Sequence, residues 1–86
     1  MRLEPTADGG FVIDALDLGP LLDLDPSRVP DLMREGRITS RFERGEGDDE
    51  GRYRVTFLHE DRMVRLIVTA DGTVIQRSRI RGASSL

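Results

Sequence analysis

Neither cysteine nor lysine occurs in this sequence. The first absence excludes a disulfide framework, thiol catalysis and zinc sites built on sulfur, so the fold has to be held by its own core. The second makes all thirteen basic residues arginine, whose planar, permanently charged forks suit carboxylate or phosphate. With His59 the single histidine, a His-rich metal site is excluded as well. No apolar run approaches the ~18 residues of a membrane span, and the opening MRLEPTADGG lacks the apolar stretch of a secretory signal. The expected setting is therefore cytoplasmic, with no membrane partner.

What is present fits one small domain. Eighty-six residues, 37% hydrophobic and 34% charged, are too few for a two-domain enzyme or a repeat array. A net stability of about 4 to 13 kcal/mol leaves little room for strained machinery. The formal net charge of −3 argues against general attraction to nucleic acid or anionic lipid. Its distribution is uneven: up to Gly36 there are eight acids and three arginines, net −5, and beyond it eight acids and ten arginines, net +2. The simplest use of this asymmetry is that each half satisfies the other, within one fold or across a dimer.

Residues 1–10, with Pro5, Gly9 and Gly10, read as a flexible N-terminal arm, 11–81 as a single domain and 82–86 as a flexible tail. Phe11–Asp14 reads as a short strand whose place in the sheet is open, with one edge of the sheet that follows the favoured position. Leu18, Leu21 and Leu22, then Val29, Leu32 and Met33, recur at helical spacing. Asp17 and Ser27 are the candidate N-caps, each three residues ahead of a proline. The second helix is expected to start near Arg28 and to stop at a left-handed Gly36, although a start at Pro26 is also open.

Four strand-like runs follow, roughly 37–44, 52–59, 62–69 and 73–80. A two-residue turn at Glu60-Asp61 pairs Phe57 with Val64, Val55 with Leu66 and Tyr53 with Val68, setting every apolar partner on one face. A three-residue turn at Ala70-Asp71-Gly72 pairs Thr69 with Thr73 and extends to Ile67 opposite Ile75, Arg65 opposite Arg77 and Met63 opposite Arg79. The inner face then carries Tyr53, Val55, Phe57, Val64, Leu66, Val68, Val74 and Ile80, with Ile38 and Phe42, beneath the helices. The fold class expected is α+β: a short strand, two short helices, then a four-stranded antiparallel meander packed on them.

In this register the outer face carries Arg52, Arg54, Arg65, Arg77 and Arg79 among Leu58, Met63, Ile67 and Ile75. Two readings apply to it. Arginine stems can cover apolar neighbours while their heads stay in water. Alternatively, like charges paired across strands are relieved by a bridging anion, and forks beside aliphatic anchors make a partner surface. The second predicts a non-enzymatic module that binds an acidic protein or anionic ligand, or a second copy of itself, through Arg54, Arg65, Arg77, Arg79, Ile67 and Ile75. No catalytic residue, cofactor or metal is expected. His59 reads as a surface turn residue, and Glu46, Asp48, Asp49 and Glu50 as a solvated loop without EF-hand spacing.

The segment LGPLLDLDPSRVPDLMREGRITS resembles a helix-turn-helix of the excisionase or MerR-regulator kind. That resemblance implies a DNA-binding regulator using residues 17–36, with Arg28 and Arg34 toward the groove. Asp25, Asp31 and Glu35 crowd those arginines, so nucleic acid is not the expected partner. Across residues 11–80, FVIDALDLGPLL, DLMREGRITSRFERGEG and YRVTFLHEDRMVRLIV resemble a family of small proteobacterial proteins known only as a domain of unknown function. It implies a single-domain protein and carries over no site residue.

Overall fold

The computed structural model describes residues 1–82. Its elements are β1 (Glu4–Pro5), β2 (Phe11–Val12), α1 (Ala15–Leu21), a 3-10 turn (Pro26–Arg28) and α2 (Val29–Arg34). Then follow β3 (Thr39–Arg44), a 3-10 turn (Gly47–Asp49), β4 (Arg52–His59), β5 (Arg62–Thr69) and β6 (Val74–Arg81). The last four strands form an antiparallel sheet in the order β3-β4-β5-β6, so the fold is α+β as expected. In place of edge addition, β2 pairs with β1 in a separate two-stranded ribbon, Glu4 opposite Val12 and Pro5 opposite Phe11. Of the tail expected at 82–86, residues 83–86 lie outside the described residues.

Between β4 and β5 the apolar pairing holds throughout: Phe57 faces Val64, Val55 faces Leu66 and Tyr53 faces Val68. Burying one face fixes this register, because a slip by one residue would turn every apolar side chain into water. Leu18 and Leu22 of the α1 region and Val29 and Leu32 of α2 close over that face, all nearly inaccessible, as are Val64, Leu66 and Val68. Each such side chain contributes about 1.5–3 kcal/mol relative to exposure.

The helix frames differ from expectation at their starts. Asp14, not Asp17, caps α1, its Oδ1 accepting the Leu16 N–H at 2.8 Å. Pro20 therefore lies near the helix end, where Leu22 N donates to the Leu18 carbonyl at 3.1 Å and α1 closes after seven residues. Asp25, not Ser27, caps the second helical segment, accepting both the N–H (3.0 Å) and the hydroxyl (2.9 Å) of Ser27. Both changes follow one rule: an aspartate two residues before a free N–H caps it whenever the chain between is extended. The stop at Gly36 is as expected, at φ 74° with Arg37 N donating to the Leu32 carbonyl at 2.8 Å.

Residues 1–3, assigned to the flexible arm, are instead tied to the sheet. Leu3 is 1% exposed, and its N–H donates to the Gly72 carbonyl at 2.7 Å. Arg2 bridges Thr73, and Val74 N donates to the Met1 carbonyl at 3.3 Å. A lone leucine among polar and turn residues has no periodicity to announce it, yet the uncovered end of β6 supplies both a hydrogen-bonding edge and an apolar hole.

The 69–73 turn itself forms as predicted, with Thr69 N donating to the Thr73 carbonyl at 2.9 Å and Gly72 at φ 89°. Asp71 accepts from the Thr69 hydroxyl and, at 3.1 Å, from Thr73 N. The Thr69 bond foremost, then those of Thr73, hold its carboxyl at about 2, below the ordinary 3.8. A depressed folded-state value means that these bonds contribute fully above about pH 3.8 and are lost as pH falls through about 2. Protection of the Thr73 amide, taken relative to its intrinsic exchange rate, should therefore fall between pH 4 and 2 ahead of that of the β4–β5 amides; simultaneous loss would show that the Asp71 clasp does not secure this turn.

His59 corrects another expectation. It continues the inward alternation of Tyr53, Val55 and Phe57 and is only 4% exposed, with Nδ1 2.7 Å from the Arg37 carbonyl oxygen. Since a carbonyl only accepts, Nδ1 carries the proton. His59→Phe keeps the ring volume and strands that carbonyl, so urea denaturation should show a loss of about 1–3 kcal/mol. A change within about 0.5 kcal/mol, the range of substitutions away from such features, would mean that the carbonyl finds another partner.

Candidate functional site

The turn at Gly72 is followed by an irregularity that redistributes the arginines. Val68 faces Val74, but Ile67 faces Gln76, so Ile75 is an extra residue in β6, a bulge. From there the pairs are Leu66–Arg77, Arg65–Ser78, Val64–Arg79, Met63–Ile80 and Arg62–Arg81. Arg77 and Arg79 therefore stand on the face of Leu66 and Val64, opposite to the face expected, while Ile80 moves to the outer face. The expected pairs Arg65–Arg77, Ile67–Ile75 and Met63–Arg79 do not form.

The penalty for turning charges to the core face is avoided because β6 is an edge strand whose side chains remain in contact with water. Counter-charge comes from Asp23, just beyond α1. Its carboxylate lies 3.2 Å from Arg79 Nη2, 2.6 Å from Arg81 Nη2 and 3.9 Å from Arg62 Nε. Arg62 also donates to the Leu22 carbonyl at 3.0 Å. Asp23 holds φ 57°, a left-handed conformation that aspartate tolerates better than most residues. These pairs connect residues 56 and 58 positions apart, so local sequence carries no trace of them.

What remains on the outer face is narrower and better defined than a five-arginine stripe. Cross-strand rows run Glu43–Arg54–Ile67–Gln76, then Arg41–Thr56–Arg65–Ser78, then Thr39–Leu58–Met63–Ile80. Arg54 and Arg65 lie on adjacent strands, one row apart, a diagonal of roughly 7–8 Å between backbones that long side chains span easily. An open groove of about 550 Å³ passes over them, with Glu43 and Arg52 along one side and Gln76 and Ser78 along the other.

The two central arginines are weakly committed within the chain. Arg54 Nη1 is 3.7 Å from Glu43 Oε1, both side chains more than 40% exposed, an arrangement contributing at most about 1 kcal/mol. Arg65 is half-buried; its Nη2 lies 3.9 Å from the Met63 sulfur, it pairs with no carboxylate among the described residues, and its Nε, like that of Arg62, is buried without a hydrogen-bond partner among them. A guanidinium left in this state has donors to offer. Of the six residues expected to form the site, the structure brings Arg54, Arg65 and Ile67 together. It sends Arg77 and Arg79 to the other face and leaves Ile75, 49% exposed, in the bulge.

Gln76 and Ser78 were missed, and finding them required the bulge, for which an alternating edge strand gives no signal. On α2, Arg34 pairs with Asp31, and Arg37 just after it lies 3.9 Å from Glu35. The helix itself spans only six residues. Among the described residues no helix is long and apolar enough to cross a membrane.

Comparison with protein families matches residues 1–85 to the family described as "Family of unknown function (DUF6522)". The chain belongs to this family. The match takes in every element of the fold, including Leu3 and the whole of β6. No curated protein and no solved structure matches the chain. Membership in DUF6522 brings no assigned chemistry, so the functional reading has to come from the groove.

Proposed function

We propose that this protein is a non-enzymatic binding module whose outer sheet groove takes an acidic segment of a partner protein. The observation that carries the reading is Arg65, half-buried in the lining of the groove with no carboxylate paired to its guanidinium among the described residues. Arg54 flanks it, and a carboxylate seated between them accepts charge-assisted bonds from both forks, stronger than neutral ones. Gln76 and Ser78 provide neutral hydrogen-bonding groups on the opposite side, while Ile67 gives the partner's side-chain stems an apolar floor. An open groove favours an extended chain over a small enclosed ligand.

A single experiment follows the arginines themselves. With no lysine present, side-chain Nε–Hε resonances of 15N-arginine-labelled protein report the complete basic set. Titration with a short glutamate-rich peptide should shift Arg65 and Arg54 and leave Arg77, Arg79 and Arg81 in place. Shifts confined to Arg28 and Arg34, or to the Asp23 cluster, would overturn the reading. Equal shifts with free citrate would assign the groove to a small anion.

A further inference from the structure

The geometry points to a second copy of this chain as the partner of the β3 edge: two β3 strands pair antiparallel about a twofold axis at Phe42, joining two four-stranded sheets into one. The β3 edge is open, with every residue from Thr39 to Phe42 exposed. Gly45 N donates to the Arg52 carbonyl at 2.8 Å, so in this regular ladder the odd-numbered residues of β3 direct their backbone groups toward β4. The N–H and C=O groups of Ser40, Phe42 and Arg44 consequently point away from the sheet, unpaired by any strand among the described residues.

Only registers that match these outward groups to one another are open to a twofold pair, and side-chain charge separates them. Centring the axis on Arg41 sets Arg41 opposite Arg41, on Glu43 sets Glu43 opposite Glu43, on Arg44 sets Arg44 opposite Arg44, and on Ser40 sets Arg41 opposite Thr39 with no opposite charges paired within β3. Centring it on Phe42 sets Arg41 opposite Glu43 twice on the outer face, and engages all three outward residues, Ser40 with Arg44 and Phe42 with Phe42. Opposite charges facing each other stabilise a strand pair, whereas like charges oppose it.

The apolar contribution falls at the same place. Phe42 is 39% exposed although it belongs to an aromatic trio, with its ring centroid 5.4 Å from that of Phe11 and 5.6 Å from that of Tyr53. Joining two β3 strands merges the two trios and covers the exposed rings. The other edge of the sheet does not offer this. Arg77, Arg79 and Arg81 share a face of β6, and a twofold antiparallel register there sets arginine opposite arginine. One strand pair buries less than about 1,000 Å² in total, so the dimer should be weak and concentration-dependent.

Sedimentation equilibrium of the full chain between about 10 μM and 1 mM should show reversible monomer–dimer exchange. Arg41→Glu, and Glu43→Arg made together with Arg54→Glu so that the pair within the chain is kept, should each weaken it by at least about tenfold, because each converts two attractive pairs into two repulsive ones. The full swap, Arg41→Glu with Glu43→Arg and Arg54→Glu, should return to within about threefold of the original, and Arg65→Glu should leave dimerisation unchanged. Circular dichroism confirms that each variant is folded. A monomer throughout the range, either reversal without effect, failure of the full swap to restore association, or loss of the dimer in Arg65→Glu would each overturn the inference.

Discussion

Gly72→Ala should destabilise the protein by about 3–5 kcal/mol, a large share of what an 86-residue domain holds. Two costs combine. The residue sits at φ 89°, where any Cβ is strained by about 1–2 kcal/mol. A Cβ there would also overlap the Leu3 carbonyl oxygen, with that carbonyl's carbon at 2.9 Å, so the backbone of residues 1–3 has to withdraw. Withdrawal breaks the 2.7 Å bond from Leu3 N to the Gly72 carbonyl and draws the buried Leu3 side chain out of the core, for which losses of 2–5 kcal/mol are usual. Leu3→Ala should reproduce most of the effect without touching the turn. Chemical denaturation measures both. If Gly72→Ala costs no more than about 2 kcal/mol, the strain of the left-handed turn alone, then residues 1–3 do not clamp the sheet as described.

Much of the fold was legible because burial leaves a pattern. Phe57, Val55 and Tyr53 could meet Val64, Leu66 and Val68 on one face in only one register, and the structure adopts it. Gly36 was legible because the end of a helical stripe requires a left-handed residue. The same alternation would have placed His59 inside, since it follows Phe57 by two; its polarity and its place beside Glu60-Asp61 outweighed that signal. Leu3 had no such signal, being one apolar residue between Arg2 and Glu4.

The outer face was half legible. Arg54, Arg65 and Ile67 lie on strands whose other face is the core, so burial fixes their orientation. On β6 the residues beyond Val74 are all exposed, and an edge strand with two wet faces is under little pressure to keep one register. There the deciding contacts are remote: the pairing of residues 1–3 with the start of β6, and Asp23 reaching Arg79 and Arg81 from beyond α1. Arg65 faces Ser78, so no like charge opposes it across the strands, and what marks it is a guanidinium in the groove lining with no carboxylate partner among the described residues.

A hydrogen bond to a charged group contributes about 1.5–3 kcal/mol, and reversing the charge of a half-buried arginine adds repulsion to its loss. Arg65→Glu should weaken binding of an acidic peptide by roughly 30- to 150-fold, equivalent to about 2–3 kcal/mol. Arg77→Glu changes the net charge by the same amount on the opposite face, so at an ionic strength near 0.1 M, where screening acts over about 10 Å, it should alter affinity by no more than about twofold. The decisive measurement is calorimetric titration of the glutamate-rich peptide into the original protein and these two variants. The expected result is loss in Arg65→Glu with retention in Arg77→Glu; equal weakening by both, or a larger loss in Arg77→Glu, would contradict a binding site on the outer groove.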